Sequence, residues 1–125
     1  MGIDIYAKWQ GQKKREWQAQ SDAWLSATDG SIGYLREAYH GEPYATEFLC
    51  AEAFASKKAI APIRAVTLRE RLPKTLELVE ERERTLYQSG ELEIEKVKQS
   101  FRDFVALCEQ KEKETGKPVM IVASY

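Results

Sequence analysis

Between Thr67 and Lys117 the sequence carries two apolar stripes at helical spacing, and only Ser89 and Gly90 stand between them. The first stripe runs through Leu72, Leu76, Val79 and Leu86, and the second through Ile94, Val97, Phe101, Phe104, Val105 and Cys108. Apolar positions three or four apart line one face of a helix. A two-residue link leaves no length for any arrangement but an antiparallel hairpin, with both stripes turned toward a common partner. Thr67 and Glu70 have the spacing of a capping box, which starts a helix. Pro73 fits the first turn of a further segment, because inside an unbroken helix it removes a hydrogen bond and kinks the chain. Ser89-Gly90 ends the first helix, and Thr115-Gly116-Lys117-Pro118 ends the second, which is predicted over about 91–115.

A hairpin with two apolar stripes needs a sheet to cover it, and the two ends of the chain supply strands. Ile3, Ile5 and Ala7 alternate with Asp4, Tyr6 and Lys8, the period of a half-buried strand over 3–9. After Pro118 the run VMIVASY is uncharged and β-branched, which suits a strand over 119–124 that lies in the sheet centre or is covered on both faces. Residues 44–50 read as a third strand followed by a helical turn, and 10–33 as an excursion with one short helix at 12–20, pinned by Trp9, Trp17 and Trp24. The fold class is therefore α+β: a small sheet holding the N- and C-terminal strands, packed on the αα-hairpin 73–115. At 125 residues and 43% hydrophobic composition, one domain over 1–125 can bury a core of its own.

Composition excludes several function classes. A net charge of −1 argues against a duplex nucleic-acid binder, which gains affinity by neutralising phosphates. Cys50 and Cys108 are too few and too far apart for a disulfide framework or a zinc site, and they read as buried, reduced thiols. Asp4 and Lys8 interrupt the N-terminus where a signal peptide is apolar, and no apolar run is long enough to cross a membrane, so a cytoplasmic, soluble protein is expected. A single histidine rules out multi-histidine metal chemistry. No P-loop, dinucleotide fingerprint or nucleophile elbow is present, so neither a cofactor nor a catalytic residue is assigned.

The segment 29–47, DGSIGYLREAYHGEPYATE, is where chemistry is concentrated. If 34–40 makes two helical turns closed by Gly41, Arg36 and His40 lie four apart on one face. A guanidinium fork and an imidazole then stand together, with Tyr34, Tyr39 and Tyr44 able to stack or hydrogen-bond. Gly33 and Gly41 would let the backbone approach a ligand. Packing of the tyrosines onto the sheet and pairing of Arg36 with Glu37 or Glu42 is the bland alternative. Charge is uneven as well: residues 57–74 hold Lys57, Lys58, Arg64, Arg69, Arg71 and Lys74 against Glu70 alone. Arg69 and Arg71 therefore join the ligand-binding candidates, unless the run is only a solvated surface.

The opening GIDIY..W, the run GYLREAYHG.PYAT at 33–46, LRERLP at 68–73 and the ending SFRDFV…E.TGKPVMIVASY resemble a family of small uncharacterised bacterial and phage-type proteins. The resemblance covers most of the chain and transfers no catalytic residue. It implies a stand-alone protein and, in a phage-type setting, one that sequesters a signalling nucleotide. Three readings follow: a non-enzymatic module for an anionic or nucleotide-like small molecule; a protein-interaction or structural module that docks a protein partner or a second copy of itself; and a small enzyme using His40 and Arg36 for acid-base or phosphate chemistry.

Overall fold

The two terminal segments pair with each other as the alternation requires. In the computed structural model, which describes residues 2–23, 28–39 and 41–125, β1 (Gly2–Lys8) and β4 (Val119–Ser124) are antiparallel neighbours, with Ile5 opposite Ala123 and Ala7 opposite Ile121. They are the two interior strands of a four-stranded antiparallel sheet ordered β2-β1-β4-β3, whose edges are β2 (Tyr34–Ala38) and β3 (Ile60–Ile63). Ile3, Ile5, Ala7, Leu35, Ile63, Val119, Ile121 and Ala123 are buried on one face of this sheet. Among the described residues, no helix is long and apolar enough to cross a membrane.

Among the described residues, five α-helices accompany the sheet: α1 (Lys14–Asp22), α2 (Ala45–Leu49), α3 (Ala51–Ala55), α4 (Ala65–Thr85) and α5 (Glu91–Thr115). The hairpin of α4 and α5 faces the sheet across the core, burying Leu68, Leu72, Leu78 and Val79 together with Ile94, Phe101, Phe104, Val105 and Cys108. Gly116 closes α5 in the left-handed conformation, at φ 72°, as its place after the last apolar position predicts. The predicted 12–20 helix is α1, and the 119–124 strand is β4.

Four expectations are corrected. The segment 44–50 is not a strand: it forms α2 and the start of α3, burying Ala45, Thr46, Leu49 and Cys50, and its apolar run was too short for periodicity to decide. The strands that take its place, β2 and β3, are five and four residues long, and β3 contains Pro62, which a strand tolerates only at an edge. The 34–40 stretch is not helical, because its first five residues are β2. Finally, α4 begins at Ala65 and passes unbroken through Pro73. Its N-terminus is capped from α5, where Glu112 accepts the Ala65 N–H at 3.1 Å, and the Thr67–Glu70 pair lies inside the helix. The stripe from Leu68 to Val79 continues across Pro73, so burial on both sides outweighs the lost hydrogen bond.

Candidate functional site

A strand points successive side chains to opposite faces, and this divides the candidate segment in two. Leu35 and Glu37 stand opposite Ile5 and Ile3 on the helix side, while Tyr34 and Arg36 stand opposite Tyr6 and Asp4 on the other. Arg36 donates to Asp4 Oδ1 at 2.8 Å, and the Tyr34 hydroxyl donates to the same oxygen at 2.6 Å. Tyr34 is fully buried and Asp4 nearly so. Burial and the bond to Asp4 push the Tyr34 phenol up to about 12. A buried carboxylate is thus supplied with two donors by the facing strand, a closed arrangement that leaves the tyrosine no face for stacking.

Glu37 reaches toward the helices and ends on α2. Its carboxylate accepts from the Ala45 N–H at 2.9 Å, the Thr46 N–H at 2.9 Å and the Thr46 hydroxyl at 2.6 Å. This clamp fixes the stretch between β2 and α2. Within that stretch Tyr39 is 45% exposed, its ring edge-on to Tyr44 at 6.3 Å, and the Tyr44 hydroxyl accepts from the Gly41 N–H. His40, and with it the Arg36–His40 pairing, lies outside the described residues, as does Trp24. Trp9 packs on the core, whereas Trp17 is 41% exposed and pins nothing.

The basic segment is paired internally. Arg69 grips Glu109 with both arms, at 3.0 and 2.5 Å, and Arg71 grips Glu52 at 2.6 and 2.8 Å while also donating to the Leu49 carbonyl. The hydrogen bonds from these arginines hold the Glu109 and Glu52 carboxyls below their usual range. The candidates also face different hollows. Arg69 lies beside Glu109 and Glu112, Arg71 shares a shallow hollow with Tyr44, and Arg36 lines a cleft between β2 and the hairpin. That cleft has Val79, Val97 and Phe101 as its floor and Arg82, Glu83 and Tyr87 as its rim. Its inner part encloses 50 Å³, room for a few waters, and it widens past Thr28 and Ser89 into an open hollow of 370 Å³.

The glycines, too, serve the fold. Gly30 lies so close to α5 that a Cβ there would sit 1.7 Å from the Ser100 carbonyl oxygen, and the Gly30 N–H donates to the Ser100 hydroxyl. Gly33, at φ 85°, turns the chain into β2 against Gln20, whose buried amide donates to the Ala7 and Ile32 carbonyls. Sequence reasoning missed Asp4, Gln20, Glu37 and Ser100 as the groups that organise this segment. Only Asp4, an acid placed in a strand opposite a basic or aromatic partner, had a signal of its own.

Beside this segment, the tip of the hairpin presents apolar side chains to solvent. Leu86 and Tyr87 at the end of α4, and Leu92 at the start of α5, are 47%, 44% and 70% exposed. Tyr87 lines the same cleft as Ala38, and Tyr39 follows Ala38 in the chain. Both cysteines are buried, and burial pushes both thiols up, away from reactivity. Among the described residues no group of three or more His, Cys, Asp or Glu side chains is placed to hold a metal ion. Compared with protein-family models, with curated proteins and with solved structures, the chain matches none.

Proposed function

We propose that this chain is a non-catalytic protein-interaction module that docks a partner with the end of the molecule where the hairpin tip stands beside β2. The observation that carries this is the exposure of Tyr39, Leu86, Tyr87 and Leu92 at that end. Large apolar and aromatic side chains cost solvation when left in water, and tyrosines and arginines dominate the energetics of protein interfaces. The ion pair of Arg84 with Glu91 adds a polar rim.

The anionic-ligand reading has less behind it. Arg36, Arg69 and Arg71 are each already paired with a carboxylate of this chain, which offsets the charge an incoming phosphate would meet. The enzyme reading rests on His40, which lies outside the described residues, and on Arg36, which is paired with Asp4. A cytoplasmic setting, with Cys50 and Cys108 reduced, belongs to the proposal.

The test is a photo-crosslinking amino acid placed at Tyr87 in producing cells, with crosslinked proteins identified by mass spectrometry. A defined protein captured by the wild-type surface and lost with Leu92→Ser supports the module. Calorimetry against nucleotides and phosphorylated metabolites is the counter-test. Saturable binding that weakens with Arg36→Lys would return the function to a small anion, since lysine cannot reproduce the fork.

A further inference from the structure

The sheet's register gathers the ends of several elements at the end of the molecule opposite the hairpin tip. Lys8, where β1 finishes, stands opposite Met120, and Ile63, where β3 finishes, stands opposite Val119 at the start of β4. Trp9 therefore lies beside the Gly116–Pro118 turn that leaves α5, and Arg64 leads from β3 into α4 at the same end. Two open hollows meet there at Pro118. One, of 470 Å³, is lined by Lys8, Trp9, Pro62, Lys117 and Met120. The other, of 680 Å³, is lined by Arg64, Val66, Arg69, Glu109, Glu112 and Lys113.

The whole chain carries a net charge of −1, yet cations outnumber carboxylates at this end, and the carboxylates are answered within the chain. Arg69 grips Glu109, Glu112 accepts from the Ala65 N–H with Arg64 at 3.6 Å, and Glu114 accepts from Gln110 and Lys111. Lys113 and Lys117 are exposed and have no carboxylate partner among the described residues, and Lys8 reaches only the neutral amide of Gln20. Lys13, Lys14 and Arg15, equally exposed and without a carboxylate partner, follow a turn in which the Gln12 N–H donates to the Trp9 carbonyl. Between these cations the floor is apolar, with Trp9, Pro118 and Met120 half-buried and Pro62 exposed. The Lys111 ammonium stands 5.1 Å from the centroid of the Trp9 ring.

We propose that this end of the molecule binds single-stranded nucleic acid. A single strand offers a line of phosphates and, beside it, flat apolar base faces, whereas a duplex turns its bases inward and shows phosphate first. Cations on both sides of an apolar floor match the strand in both respects. Phosphates are met by Lys8, Arg64, Lys113 and Lys117, and a base lies against Trp9, Pro62 and Met120. Two hollows that join at Pro118 suit a run of nucleotides, because successive phosphates can reach lysines in both. The argument from net charge against a duplex binder concerns the whole chain, and it stands: the excess of positive charge is local to this end. The inference is separate from the hairpin-tip surface, which lies at the other end of α4 and α5, and can fail without it.

Fluorescence anisotropy of a labelled oligothymidylate of about twenty nucleotides, titrated with the full chain, tests it. Saturable binding is expected, weakening about fiftyfold as salt rises from roughly 50 to 200 mM, the slope for about four phosphates on a single strand. An abasic strand of the same length keeps the phosphates and loses the bases, and it should bind about fivefold more weakly or worse. The double variant Lys113→Glu, Lys117→Glu should weaken binding about tenfold or more. Lys57→Glu, Lys58→Glu makes the same change of charge on the turn before β3, away from this end, and should leave affinity within about twofold. Circular dichroism confirms that both variants are folded. No saturable binding at the lowest salt overturns the proposal. So does an abasic strand that binds as well as the thymidylate, or a loss as large in the Lys57, Lys58 variant as in the Lys113, Lys117 one. Displacement of the strand by vesicles of anionic phospholipid, with the strand unable to compete back, overturns it in favour of a membrane surface.

Discussion

The helical hairpin and the stretch from Thr28 to Leu49 both lean on α5, and they are ordered by different forces. The hairpin is held by volume. Leu68, Leu72 and Val79 on α4 and Phe101, Phe104 and Val105 on α5 are buried together, and burial of this kind is non-directional and proportional to area. The Thr28–Leu49 stretch is held by aim. Ser100 meets the Gly30 N–H at 2.8 Å, Glu37 takes two N–H groups and a hydroxyl of α2, and Asp4 takes Tyr34 and Arg36. A region held by volume responds to how much is removed, and a region held by aim responds to single atoms. Tyr34 and Arg36, two of the conspicuous side chains of that stretch, are committed to Asp4 by such aimed bonds.

The largest effect is expected on the volume side. Phe101→Ala should cost about 3–5 kcal/mol, the range for deleting a buried phenylalanine, read from the urea midpoint. On the aim side, one added methyl should rival it. In Gly30→Ala the new Cβ meets the Ser100 carbonyl oxygen at 1.7 Å, and since that oxygen belongs to the backbone of α5, the turn must move away. A loss of about 3 kcal/mol, at the upper end of overpacking, is expected. If Gly30→Ala melts with the wild type, the close approach of the turn to α5 is not a determinant and the contrast between the regions breaks.

The same contrast explains how much was legible in the sequence. Periodicity reports burial, so the β1 and β4 strands, the α5 boundaries and the α+β class were readable from Ile3 to Ala7, Val119 to Ala123 and the stripe from Ile94 to Cys108. Directed bonds leave no period. Nothing in YLREA marks it as a strand, because Tyr34 and Leu35 are buried side by side on opposite faces while Arg36 and Glu37 are committed to Asp4 and to α2, partners thirty-two and eight to nine residues away in sequence. IAPI is a strand of four residues with a proline in it, which only an edge position permits. The tyrosines and arginines were rightly seen as a cluster of polar aromatics and cations in sequence, but their three hollows are set by tertiary pairing with Glu52, Glu109 and Asp4, residues that no spacing rule connects to them.

The smallest effect sharpens the comparison most, because it changes one oxygen atom. Tyr34→Phe keeps the ring in its buried place and removes the donor to Asp4, which retains Arg36. At neutral pH the loss should be about 1 kcal/mol, the net worth of one hydrogen bond. The pH dependence carries more information. The phenol is raised from 10.0 to about 12 in the fold, so the folded state holds the proton more tightly than the unfolded chain does. The stability this gives is whole below pH 10 and is lost as pH rises toward 12, by on the order of 2 kcal/mol. Buried Cys50 and Cys108 and the neighbouring Tyr6 phenol, also raised, lose stability in alkali as well, and all three are present in both proteins. The difference between the two stability curves therefore isolates Tyr34: the wild type starts ahead at neutral pH and falls more steeply above pH 10. Parallel curves through that range would show that Tyr34 ionises as freely in the fold as outside it, and Arg36 would then be the side chain that ties β2 to Asp4.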